Sequence, residues 1–116
     1  MTEPEVVRLY KQTKSGTRSR ELLEILPGGR AKAMLPEELG RVMKPNGSGN
    51  PLSKGSVRGA MRVVQRVTTK LTKRGSIGGN ILQVDFSGYG EEGAGRYFID
   101  EPARQALDEH LSQQTP

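Results

Sequence analysis

Between positions 57 and 71 apolar residues return at spacings of four and three: Val57, Met61, Val64, Thr68 and Leu71, with Ala60, Val63 and Val67 beside them. At about 100° per residue this set covers one side of a helix, predicted over residues 53–74. Ser53 or Ser56 stands where an N-cap is needed, and Gly75 where a left-handed C-terminal residue belongs. Upstream, Ser19 with Glu21 and Glu24 behind it opens a helix through Leu22, Leu23, Ile25 and Leu26 that Pro27, Gly28 and Gly29 close. Residues 30–35 read as a short strand. Pro36 suits the first turn of the next helix, where Glu37 and Glu38 meet its positive end and Leu39, Val42 and Met43 form its buried side. Residues 44–51 (KPNGSGNP) break that pattern and read as a flexible loop.

Past Gly75 the period changes. Leu82, Val84 and Phe86 alternate with Gln83 and Asp85, as in a strand with one buried face, and residues 96–100 (RYFID) read as its hairpin partner. Glu101 and Pro102 open a last helix with Ala103, Ala106, Leu107 and Leu111 as its apolar stripe, and residues 113–116 are expected to fray. Residues 1–18 read either as an arm or as a short helix, since Thr2 and Glu5 have capping-box spacing ahead of Val6, Val7, Leu9 and Tyr10. One folded domain over residues 19–112 follows, as the 116-residue length allows little material for two.

Charge sharpens the picture of the long helix. Residues 39–84 hold nine Lys or Arg (Arg41, Lys44, Lys54, Arg58, Arg62, Arg66, Lys70, Lys73, Arg74) and no Asp or Glu, while the last 32 residues are net acidic. Arg58, Arg62, Arg66, Lys70 and Arg74 recur at every fourth position opposite the apolar side, in company with Gly55, Gly59, Gln65 and Thr69. A solvated helix usually mixes signs, because Glu to Lys pairs help it form. A single-sign face displaces counterions from a polyanion, which points to nucleic acid. Lys73 and Arg74 also suit the negative end of the helix dipole, whereas Arg58 and Arg62, in the first turns, are unfavourable unless an anion is near.

Composition removes other chemistries. With no Cys and a single His, His110, no metal-ligand spacing exists and neither a cofactor nor a metal is expected. The aromatic set of Tyr10, Phe86, Tyr89, Tyr97 and Phe98 offers no base-stacking platform, so single-strand recognition is disfavoured. No apolar run has membrane length and the first residues show no signal-peptide pattern, which predicts a cytoplasmic protein, nucleoid-associated if prokaryotic. Gly88, Gly90 and Gly93 spell GxGxxG, but a strand follows instead of a helix and Glu91 and Glu92 would repel phosphates, so the segment reads as a hairpin tip. No nucleophile stands beside a base, and no enzyme activity is expected.

The order of helix, short strand, helix, basic helix, hairpin and closing helix resembles the winged helix-turn-helix family. The resemblance implies an α+β, winged-helix-like domain of three helices plus a β-hairpin wing and a C-terminal helix. It departs from the family in the long loop KPNGSGNPLSKG and in the acidic tip. It implies a small DNA-binding protein, a transcriptional or plasmid or phage regulator, whose recognition helix spans residues 53–74. Lys54, Arg58, Arg62 and Arg66 would then meet the groove with Gln65, Thr69 and Lys70 beside them, and Lys44, Asn46 and Lys73 the backbone. Lys11, Lys14, Arg18 and Arg20 would act as an arm along duplex DNA. A homodimer through the C-terminal helix, or a protein partner on that helix or the acidic tip, is the further expectation. Two other readings stay open: a protein-interaction module whose basic helix docks on an acidic partner, and a duplex RNA-binding protein.

Overall fold

Val6, Val7, Leu9 and Tyr10 are all buried on α1 (Glu5–Gln12), so the start of the chain is a core helix and not an arm. The computed structural model describes residues 3–79, 81–86 and 95–114. Among them five α-helices and a two-stranded antiparallel sheet make an α+β domain.

Helix α2 (Arg18–Ile25) begins one residue earlier than its sequence signal. Thr17 is the N-cap, its hydroxyl accepting the Arg20 N–H at 3.4 Å, while Ser19 is buried in the first turn. An N-cap oxygen serves the N–H two or three residues into the helix, which fits Thr17 and leaves Ser19 inside. The strand expected at residues 30–35 is a 3-10 turn, Arg30–Lys32, followed by one bridging residue, Met34. Arg, Ala and Lys favour helical turns, and the start of the next helix at Pro36 leaves room for a single pairing. In α3 (Pro36–Val42) the Glu38 carboxylate accepts the Leu35 N–H at 2.9 Å, and Pro36 and Leu39 are buried. Val42, expected in the core, is 58% exposed. The helix stops there, and it is the next residue, Met43, that is buried.

Helix α4 (Lys54–Lys73) is the spine of the domain, packed against α1, α2 and α3 through Val57, Ala60, Met61, Val64 and Leu71. Strands β1 (Gln83–Asp85) and β2 (Arg96–Phe98) pair with Val84 opposite Tyr97. Tyr97 also exchanges two backbone hydrogen bonds with Met34, at 2.7 and 3.0 Å, which ties the sheet to the segment between α2 and α3. The alternation expected for β1 is out of phase: Leu82 and Asp85 are buried and Phe86 is 60% exposed. Arg30 is one partner on the inner side, its guanidinium 3.1 Å from the Asp85 carboxylate and stacked over the Phe98 ring. So short a ribbon takes its facing from such neighbours more than from its own pattern.

Helix α5 (Glu101–Gln114) closes the molecule against α1. Leu107 is fully buried, and Ala103, Ala106 and Leu111, partly buried, pack against the same core. His110, expected on the exposed side, meets the Tyr10 ring edge-on at 5.9 Å. The helix continues through Gln114, past the expected fraying point. Among the described residues no helix is long and apolar enough to cross a membrane. The GxGxxG segment, with Glu91 and Glu92, lies outside the described residues.

Candidate nucleic-acid interface

The sequence sets both ends of α4. Ser53 Oγ accepts the Ser56 N–H at 3.2 Å, so of the two serines Ser53 is the cap. At the other end Gly75 takes φ 75°, a left-handed value that L side chains rarely adopt. There the Gly75 N–H bonds to Thr72 O and the Ser76 N–H to Leu71 O, the paired hydrogen bonds of a Schellman motif. Between these stops run 20 residues, about 30 Å of helix.

One side of that helix is core and the other is open. Arg58, Arg62, Gln65, Arg66, Thr69 and Lys73 are all exposed. By helical geometry they fall within an arc of about 100°. Lys70 and Arg74, also exposed, turn away towards Val63. Val63 was expected among the apolar set, but it lies about 120° around the helix from Val57 and is 37% exposed. Among the described residues no carboxylate lies within ion-pair distance of Arg58, Arg62, Arg66, Lys70, Lys73 or Arg74. Lys54 differs, with its ammonium 3.3 Å from Glu37. The Thr69 hydroxyl donates to Gln65 O at 2.9 Å, so towards a ligand it offers lone pairs only. Beside this face, Gln65, Thr68, Thr69, Ile81, Leu82, Gln83 and Val84 line a cleft of about 420 Å³ between α4 and β1.

The basic residues expected to form an arm have other employment. Arg20 donates to Tyr10 O at 3.0 Å and Thr13 O at 2.7 Å, donates to Thr13 Oγ1 at 3.1 Å, and stacks 4.5 Å above the Tyr10 ring. Arg18 bonds to the Glu21 carboxylate at 2.6 Å and to the carbonyls of Lys44 and Pro45 at 2.8 and 3.3 Å. Lys11 pairs with Glu3. Lys14 is exposed. Arg18 and Arg20 are therefore engaged as braces within the fold.

Lys44 is exposed at the base of the α3–α4 loop, with its N–H donated to Glu21 at 2.6 Å. That carboxylate was not a candidate in the sequence, since its partner lies 23 residues away and no local pattern announces the contact. Tyr10, at the centre of the brace, has its phenol pushed up to about 12 by burial, by its hydrogen bond to Glu24 and by the charge of that carboxylate, with Arg20 opposing. Among the described residues no three His, Asp or Glu side chains converge where they could hold a metal ion. Comparison with protein-family models, with curated proteins and with solved structures yields no match.

Proposed function

We propose that this protein binds duplex DNA by docking the exposed face of α4 in the major groove. The observation that carries the reading is the row Arg58, Arg62, Arg66 and Lys73: exposed, of one sign, and with no carboxylate among the described residues close enough to neutralise it. Outside a complex such a row repels itself, and a phosphate backbone removes that repulsion while releasing counterions. B-form DNA suits it better than duplex RNA, because the B-form major groove admits a helix and the A-form groove is too deep and narrow for side chains to read.

On this reading α2, α3 and α4 are the three helices of a winged helix-turn-helix domain. Met34, β1 and β2 are its sheet, and the hairpin is its wing. Contacts fall to Arg58, Arg62, Gln65, Arg66, Thr69 and Lys73 on α4, with Lys44, Lys54 and Lys70 at its margins. The role is regulatory, in a transcriptional, plasmid or phage setting, and the place of work is the cytoplasm.

Replacing Arg62 and Arg66 together with Ala tests it by fluorescence anisotropy against duplex DNA, duplex RNA and single strands at several salt concentrations. The double variant should bind duplex DNA at least about tenfold more weakly and lose about two units from the slope of log affinity against log salt. Its melting temperature should stay at the parent value, since neither side chain contacts the core. Unchanged affinity would overturn the reading, and equal loss on an acidic protein partner alone would replace it with protein docking.

A further inference from the structure

The α3–α4 loop carries a second observation. Residues 44–51 are exposed throughout, yet the segment is held in one shape by a dense set of hydrogen bonds. Asn46 Oδ1 accepts from Ser48 N–H at 3.0 Å, Ser48 Oγ at 2.7 Å and Asn50 N–H at 3.2 Å. The Asn46 N–H donates to Asn50 O and the Gly49 N–H to Asn46 O. Both ends are fastened as well. At the entrance Arg18 grips the carbonyls of Lys44 and Pro45 while Glu21 takes the Lys44 N–H. At the exit the Leu52 N–H reaches Gly40 O at 3.3 Å, an approach so close that a Cβ on Gly40 would stand 2.5 Å from Leu52 O.

The flexible loop that its composition suggests is thus a fixed projection. It buries almost nothing, so its shape does little for the core. A fixed, exposed shape matters chiefly to something that docks on it, because ordering a loop at the moment of binding subtracts from affinity. The sign of the visitor is also indicated. Lys44 stands exposed at one end, while Lys54, just beyond the other, is paired with Glu37, so it is Lys44 that carries the positive face of α4 on to the loop.

We infer that residues 44–53 form a preshaped platform for the sugar-phosphate strand flanking the groove occupied by α4, and that Arg18 and Glu21 are positioning residues for it. This rests on the DNA-binding reading. Asn46 shapes the platform from within, its carbonyl oxygen saturated by three donors, while Lys44 faces the strand.

Two substitutions test the platform by the same salt titration. Glu21→Ala removes a negative charge, and electrostatics alone would tighten binding to a polyanion. The latch predicts the opposite, about a three- to tenfold loss. Asn46→Ala changes no charge and lies in an exposed loop, and it should lose affinity to a similar degree. In both variants the salt slope should stay at the parent value, because ordering is lost and no phosphate contact is removed. Melting curves of each variant confirm that the titrations are run on folded protein. Parent-like or tighter binding in either variant would overturn the platform. If Arg62→Ala with Arg66→Ala still weakens binding about tenfold or more, the α4 reading survives that result. A parent chain that binds no duplex would sink both.

Discussion

Arginine has two opposite uses in this molecule. Arg20 and Arg104 point inward at helix ends: Arg20 satisfies carbonyls where α1 stops, and Arg104 reaches Leu23 O at 3.0 Å and Leu26 O at 2.8 Å where α2 stops. Neither α1 nor α2 ends on a glycine, so a cation brought from elsewhere in the chain supplies the donors and meets the negative end of the dipole. Helix α4 has its own glycine stop and its arginines are left over for solvent. The comparison teaches that a count of positive charges says little about binding until each guanidinium has been asked what it already holds.

The sharpest way to break the comparison is to remove an inward arginine. Arg104, with only 14% of its side chain exposed, also pairs with Asp108 at 2.6 Å. Arg104→Ala strips two carbonyls at the end of α2 of their donor and should cost about 2–3 kcal/mol. A thermal melt should then fall by about 10 °C or more. DNA affinity, measured below that melt, should be unchanged. A normal melting temperature would erase the distinction between the two arginine classes.

A smaller effect comes from pH. The Tyr10 phenol titrates near 10 in an unfolded chain and is pushed up to about 12 in the fold. The folded state therefore holds its proton more tightly, so the unfolded state binds fewer protons between pH 10 and 12. The contribution is present below pH 10 and is lost as pH rises through that window. Urea midpoints of the parent and of Tyr10→Phe should draw together there, with the parent falling more steeply. Parallel curves would remove the Tyr10 to Glu24 bond from the account of the α1–α2 junction.

The smallest effect concerns the outward face. A Cβ on Gly59 would meet nothing within 4 Å, and glycine inside a helix is destabilising by roughly 0.5–1 kcal/mol relative to alanine. Gly59→Ala should therefore raise stability by about that amount in a denaturant titration. A loss instead would mean that this face is already used inside the molecule.

Helix α4 was legible because its information is local: a serine before it, a glycine after it, and an apolar period long enough to outvote Val63. Helix α3 was legible through Pro36 and Glu38. The eight residues of α1 were too few for their period to be decisive, and its burial depends on α4 and α5. Phe86 is exposed and Asp85 buried, and the carboxylate meets Arg30, 55 residues away, a contact that no local pattern announces. The fates of Arg18 and Arg20 were illegible for the same reason. Nothing in TKSGTRSR distinguishes a guanidinium that will find carbonyls across the fold from one that will remain free. The candidate face could be drawn from sequence, whereas the loop that flanks it could be located but not seen to be fixed.

The packing of α1 against α5 has a consequence for the birth of the protein. Of the elements described here α1 is translated before all others, and α5, which covers it, after all others. Until then Tyr10 lacks the His110 ring, and an apolar flank of α1 is left open to water. The domain should therefore complete its fold late, in the step that brings its most distant helices together.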